Sequence, residues 1–165
     1  MAQWWRQVWA GKRFYAGAIV LALAGLGCAS TPPMTADALD DAILALGENV
    51  EGSPGSLRFE YAGIPIACFS SATHDRMRLV APVRRVEELT PDQVGAMLTA
   101  NYHSALDARY AVSQGVVYAA FLHPLGSLTE AELQSALDQV ANLVLTFGTG
   151  YSSGALLYGP QGEAL

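Results

Sequence analysis

The histidines are the first residues to consider for chemistry, because an imidazole can bind a metal ion or transfer a proton near neutral pH. The chain has three of them, His74, His103 and His123. They lie much farther apart than the ligands of a sequence-defined zinc site. A serine hydrolase would need a serine beside its histidine, but His103 and Ser104 are consecutive on a predicted helix and point in different directions. No glycine-rich phosphate loop precedes a predicted helix. We therefore predict no catalytic site, no metal and no cofactor.

Four arginines form the most prominent polar group. They are Arg76, Arg78, Arg84 and Arg85. The first two alternate along a predicted strand and so share one face, and the other two follow that strand. Acidic residues lie close by in sequence, which favours a solvated face with local ion pairs. The alternative is a docking surface for carboxylates of a protein partner or for acidic lipid headgroups, because the planar guanidinium pairs with either.

The charge balance excludes some classes of partner. Lysine and arginine total 9 against 15 acidic residues, for a net charge of −6. Arg6, Lys12 and Arg13 all precede an apolar run, and without them six arginines face fifteen acids, a net charge of −9. Nucleic acid is therefore not an expected partner. A hydrophobic content of 52% and only two cysteines also exclude a disordered chain and a disulfide scaffold.

The first residues have the layout of a targeting segment. Residues 1–15 carry three cations and no acid, and residues 16–27 are uncharged and mostly apolar. This apolar run is shorter than the ~20 residues that a membrane-spanning helix needs. We predict that residues 1–27 are a signal peptide. All three tryptophans, Trp4, Trp5 and Trp9, would leave with it.

Small residues stand directly before Cys28, in the segment Ala24-Gly25-Leu26-Gly27-Cys28. This segment resembles the lipobox of bacterial lipoproteins, in which the cysteine thiol receives a diacylglyceryl group and becomes the new N-terminus. The resemblance implies lipidation of Cys28, with residues 28–34 as a tether, and Ala29 resembles the sorting signal of outer-membrane lipoproteins facing the periplasm. Ordinary cleavage near Ala29 or Ser30 and an uncleaved anchor are the alternatives.

Cys68 would then be the one remaining thiol. It lies in the apolar run of residues 63–69, where a cysteine most often behaves as a small buried hydrophobic residue. No histidine or cation is near it in sequence to lower its pKa. We predict a buried structural thiol.

Three helices are predicted from caps and apolar spacing. The first begins after Thr35 and ends at Gly47, and the third begins after Thr129, with Glu132 completing a capping box, and ends near Gly148. The second begins at Thr90, with Pro91 in its first turn, and runs to about Ser104. Its apolar stripe is predicted to be core. The stripe consists of Val94, Met97, Leu98, Tyr102 and Ala105.

Five strands are predicted from period-two alternation and turn residues. They cover about residues 57–61, 64–69, 75–83, 109–112 and 116–122, of which the last is apolar on both faces and is predicted to be central. The fold class is therefore α+β, with a five-stranded antiparallel sheet in the order α-β-β-β-α-β-β-α. The domain spans residues 35–150, and residues 151–165 form a glycine-rich tail of which only the first part docks.

This element order, together with the segments at residues 75–83, 106–111, 117–121 and 146–148, resembles the type III secretion chaperone-like superfamily, and within it the YbjN-like bacterial proteins. The resemblance covers about residues 36–158. It implies a small acidic domain, commonly a homodimer, that binds extended protein segments without nucleotide hydrolysis. Secretion chaperones lack a signal peptide, so the resemblance does not carry over their class of partner.

Three functions follow from these observations. The preferred one is a lipid-anchored protein of the bacterial cell envelope that binds a protein or an extended peptide segment and is not an enzyme. The second is a structural subunit that assembles with itself or with a larger envelope complex. The third is a small enzyme with an unrecognised site. That site would combine His74, His103, Asp107 and Arg109.

Overall fold

Three helices and six strands follow one another along the part of the chain that the computed structural model describes, residues 32–154. They are α1 (Ala36–Leu46), β1 (Glu48–Ser53), β2 (Ser56–Tyr61), β3 (Ile64–Ser71), β4 (Arg76–Arg85), α2 (Pro91–His103), β5 (Arg109–Ser113), β6 (Val116–His123) and α3 (Glu130–Leu145). A 3-10 turn, Val86–Glu88, precedes α2. The predictions for residues 1–31 and 155–165, including the signal peptide and Cys28, lie outside the described residues.

The α+β class and the antiparallel sheet are confirmed, but the strand count of five is wrong. The sheet has six strands in the order β1-β2-β3-β4-β6-β5, and every neighbouring pair is antiparallel. The missed strand is β1, which pairs with β2 at the edge of the sheet. Its sequence, Glu-Asn-Val-Glu-Gly-Ser, is exposed except at Val50, so it shows no apolar alternation. An edge strand with little to bury leaves no such signal.

The two faces of the sheet differ in what covers them. Alternate residues of β4, such as Met77, Leu79 and Ala81, are buried on the face that carries α3. The residues between them, such as Arg76 and Arg78, are exposed. We call the second face the open face. As predicted, β6 is an interior strand, because it lies between β4 and β5.

The predicted helix starts are confirmed. Thr35, Thr90 and Thr129 each accept a hydrogen bond from a backbone N–H of the first turn, and the last two form complete capping boxes with Gln93 and Glu132. The Thr129 bonds to Glu132 lower the pKa of that carboxyl group. These local bonds satisfy N–H groups that the helix itself leaves unpaired, so sequence spacing alone finds them.

The prediction that the whole apolar stripe of α2 is core is wrong. Met97 is buried, but Val94, Leu98 and Tyr102 are exposed. The reason is that α3 lies over the central strands β4 and β6, whereas α2 contacts the edge strand β5. An edge strand offers too little surface to cover a wide stripe. Three large apolar side chains are therefore left in solvent.

The loop between α2 and β5 is held by hydrogen bonds to α3 and to the start of the C-terminal tail. The buried Gln139 of α3 accepts hydrogen bonds at Oε1 from the backbone N–H groups of Asp107, at 2.8 Å, and Ala108, at 3.0 Å. The buried Ser153 accepts at Oγ from the N–H of Leu106, and its own N–H donates to the carbonyl of Ser104. The described start of the C-terminal tail is thus bonded to this loop. Among residues 32–154, no helix is long and apolar enough to cross a bilayer.

Candidate protein-binding surface

Exposed apolar side chains are concentrated on α2 and on the strand it contacts. Leu98 is 66% exposed, Tyr102 is 67% exposed and Val112 of β5 is 62% exposed, with Val94 one helical turn before Leu98. We call these four residues the α2–β5 surface. Single exposed apolar residues are ordinary, but several on two elements in contact are typical of a site that another chain covers. This surface was not identified from the sequence.

The outer edge of β5 is partly closed by a side chain of α2. The Asn101 amide donates from Nδ2 to the carbonyl of Tyr110, at 3.1 Å, and accepts at Oδ1 from the Tyr110 N–H, at 2.7 Å. Asn101 therefore pairs with β5 as a residue of a neighbouring strand would. Alternate residues of a strand direct their backbone groups to the same side, so the backbone N–H and C=O groups of Val112 point outward like those of Tyr110. The edge next to the exposed Val112 side chain has the geometry to accept an extended segment.

The four predicted arginines do not form one cluster. Arg76 and Arg85 stand at opposite ends of β4, and each is near an acid: Arg76 Nη1 lies 3.9 Å from Asp75 Oδ2, and Arg85 Nη1 lies 3.7 Å from Glu87 Oε1. These pairs are well exposed and contribute little to stability. The predicted local ion pairs are present at these two positions.

A bulge separates Arg84 from Arg78. The β4–β6 register shifts between Pro82 and Arg84, which places Arg84 opposite the buried Val117. Its guanidinium accordingly lies 5.5 Å from the ring centre of Phe147, just after α3, and 3.6 Å from Glu88. Arg78 stays on the open face. The structure therefore places Arg84 and Arg78 on different faces of the sheet, and binding of a partner by these arginines stays a prediction.

The residues of the alternative enzyme site have separate local roles. His74 lies in the β3–β4 turn, with Nδ1 at 2.9 Å from Ser71 Oγ, whereas His103 is the last residue of α2 and its ring contacts that of Tyr102. The Arg109 guanidinium donates to backbone carbonyls of the preceding loop, including Ala105 at 2.8 Å. Within the described residues, no three His, Cys, Asp or Glu side chains come together as metal ligands.

Cys68 is a buried thiol, as predicted. Its side chain is 1% exposed on the helix-covered face of β3. Burial raises the pKa of the thiol to about 12, with a smaller contribution from the negative charge of Asp40. A thiol that stays protonated at neutral pH is a poor nucleophile.

The open face is concave and encloses a volume of about 1010 Å³. Its middle row begins at Arg58, which pairs with Ala67, and continues through small side chains, with Ala67 paired with Val80 and Val80 paired with Ala120. A row nearer the β3–β4 turn contains Phe69, Arg78 and Leu122. The row on the opposite side contains Pro65, Pro82 and Tyr118. The face is thus a channel in which Arg78 lies among apolar side chains on one wall, and Glu51, Arg58 and Glu60 of the first two strands also line it.

Comparisons with known proteins concern the fold. No protein-family model matches the chain, and no curated protein does. Among solved structures, the chain is similar to one described as the Yersinia pestis type III secretion chaperone SycH in complex with a stable fragment of YscM2, at 13% identity and a TM-score of 0.53, over 68% of this chain and 98% of that one. It is also similar to a HopA1–SchA chaperone–effector complex, at 13% identity and a TM-score of 0.50, over 66% of this chain and 88% of that one. The described domain therefore has the fold of the type III secretion chaperones.

Proposed function

We propose that this chain is a lipid-anchored protein of the bacterial cell envelope whose domain binds an extended apolar segment of another protein and carries out no reaction. The α2–β5 surface is the observation that carries the proposal. It combines the exposed Leu98 and Tyr102 of α2 with the exposed Val112 of β5, the edge strand that α2 contacts. Such an edge can supply main-chain hydrogen bonds, while the apolar side chains supply affinity.

The fold supports a protein as the partner. The two solved structures named above are described as a chaperone–effector complex and as a chaperone in complex with a fragment of another protein. The binding role passes to this chain as a proposal, because 13% identity establishes only the fold. The chemistry of the surface fits the same role, since its four defining side chains carry no charge.

The sequence supports the anchor. A cationic segment, an apolar run and small residues before Cys28 together match the layout of a lipoprotein signal. Cys28 would carry the lipid, and the domain would lie in the periplasm at the outer membrane.

Self-association is the second candidate function. Val94, Leu98 and Tyr102 are spaced along one stripe of α2, and two copies of such a stripe can pack against each other around a two-fold axis. The homodimer would then use α2, not α3, whose apolar residues are largely buried in the domain. This candidate and the preferred one use the same side chains, so one experiment separates them.

Photo-crosslinking from the α2–β5 surface tests the binding role. With p-benzoylphenylalanine in place of Leu98 or Val112, we expect irradiated cells to give adducts at both positions to one contiguous peptide of a different protein, identified by mass spectrometry. The matched control replaces Leu44, which is 58% exposed on α1. Adducts between two copies of the chain would favour self-association, and the same adducts from position 44 would contradict a specific surface.

The mass of the protein purified from membranes tests the anchor. We expect the N-terminal peptide to begin at Cys28 and to carry a diacylglyceryl group. We expect Cys28→Ser to abolish the lipid mass and to leave the leader attached. A chain that begins at Met1 without lipid would contradict the anchor and leave the binding role to be judged by crosslinking.

A further inference from the structure

The tether enters the domain at one end of the sheet. Pro33 lies beside Gly126, because a Cβ atom placed on Gly126 would be 3.9 Å from the Cβ of Pro33 and 3.3 Å from Asp75 Oδ1. Asp75 lies in the β3–β4 turn and holds the β6–α3 loop by two bonds. Its Oδ1 accepts from the Gly126 N–H at 2.7 Å, and its carbonyl accepts from the Leu125 N–H at 3.3 Å. Pro33 therefore lies beside a loop that hydrogen bonds attach to the β3–β4 turn.

The tether is too short to let this end move far from an anchor. Pro33 is the fifth residue after Cys28, and a fully extended chain of that length spans at most ~17 Å. If Cys28 carries a lipid, as proposed above, Pro33 is held within about that distance of the anchor, and the β3–β4 turn lies next to Pro33 through the contact of Gly126 with Asp75. The surface around the turn is then the part of the domain that the tether keeps close to the membrane.

That surface has an amphipathic composition. Phe69, Arg78 and Leu122 form one cross-strand row on the open face, and Arg76 stands one step closer to the turn, paired with Ser71. Phe69 is 43% exposed and Leu122 is 54% exposed. We call Phe69, Arg76, Arg78 and Leu122 the tether-end patch.

On the open face, the arginines of the tether-end patch and Glu60 lie at opposite ends of β3. The two arginines of the tether-end patch lie near the turn, whereas Glu60 pairs with Pro65 at the opposite end of β3. The nearest acid, Asp75, already accepts the Gly126 N–H and lies 3.9 Å from Arg76. On this face Arg76 and Arg78 are therefore near the tether, whereas Arg58 lies in the middle row, where its strand partner is Glu51.

We propose that the tether-end patch rests on the membrane surface, with Arg76 and Arg78 binding lipid phosphates and Phe69 and Leu122 entering the interface between headgroups and acyl chains. The proposal rests on the anchor proposed above and adds an orientation to it. Arginine pairs with phosphate through two parallel N–H donors, and apolar side chains gain by leaving water at the same depth. A single patch of this size is a weak binder by itself, but the short tether raises its effective concentration near the bilayer.

Fluorescence quenching by lipids tests this orientation. The full chain is produced in bacteria, and the membrane-extracted form is reconstituted in vesicles of phosphatidylcholine and phosphatidylglycerol with brominated acyl chains. Because the three native tryptophans all lie in residues 1–9, a processed chain has none, and Leu122→Trp supplies the only indole. Tyr118→Trp is the matched control, on the same strand and face but four residues farther from the turn.

We expect brominated lipids to quench Leu122→Trp at least threefold more strongly than Tyr118→Trp. We also expect Arg76→Gln combined with Arg78→Gln to reduce the difference at least by half, and more so at low salt. Equal quenching at the two positions in a chain whose mass shows acylated Cys28 would overturn the orientation and leave the anchor standing. An unacylated chain would overturn the anchor, and the orientation with it, so mass spectrometry of the same sample separates the two failures.

Discussion

Gln139→Leu is expected to lower the free energy of unfolding by about 3 kcal/mol, because it leaves one buried and one part-buried N–H group without an acceptor, and a buried group in that state costs about 1–3 kcal/mol. The two groups are those of Asp107 and Ala108, which donate to Gln139 Oε1 in the loop between α2 and β5. Leucine has nearly the same size but no acceptor. The change therefore removes both bonds without opening a large cavity.

Urea denaturation followed by circular dichroism measures this loss. Gln134→Leu is the matched control, since it makes the same substitution earlier on α3, where the half-buried side chain donates to the Tyr61 hydroxyl. That bond lies at a wetter position, so its loss is expected to cost about 1 kcal/mol. If the two variants lose the same stability, Gln139 does not hold the loop in the way described.

Gly52→Ala is expected to detach β1 from the sheet, at a cost of about 3 kcal/mol. Gly52 has a φ of +125°, and a Cβ atom there would lie 2.3 Å from the backbone carbonyl oxygen of Ser56. No side chain can give way, because the obstacle is the backbone of the paired strand β2. The hairpin must open to accept the methyl group.

Hydrogen exchange is the direct readout for this variant. We expect amide exchange to become faster in Glu48–Ser53 and Ser56–Tyr61, with little change in α3. Gly115→Ala is the control, because Gly115 also has a positive φ, +76°, but no atom lies within 4 Å of its Cβ position. It should cost about 1 kcal/mol from backbone strain alone. Unchanged exchange in β1 of the Gly52→Ala chain would contradict the described contact.

The helix starts were predictable because a cap is a local event. Thr129 and Glu132 bond each other's backbone across three residues, and nothing distant is needed to fix that geometry. Strand β1 was not predictable for the converse reason. Its place depends on pairing with β2, while its own residues other than Val50 bury little. Edge pairing leaves no mark in the period of apolar residues.

The α2–β5 surface was not predicted, because a sequence pattern shows which residues are apolar but not which of them another element covers. The stripe of α2 indicated a buried face, and only the position of α2 at the sheet edge shows that Leu98 and Tyr102 stay outside. The four arginines are close together in sequence, but the bulge in β4 places Arg84 on the opposite face of the sheet from Arg78. The one usable sequence signal was the width of the α2 stripe, in which Met97 and Leu98 are both apolar.

The amide of Asn101 sets a limit on how long an added strand can be. Because it already occupies the outward backbone groups of Tyr110, a foreign peptide finds its next open pairing position only at Val112, close to where β5 ends at Ser113. Stacking of whole sheets, which leads to fibrils, needs a continuous row of free partners along the rim. Copies of this domain that meet at the β5 edge would therefore find room for a short added strand but no continuous row for stacking, whereas the opposite edge of the sheet is β1.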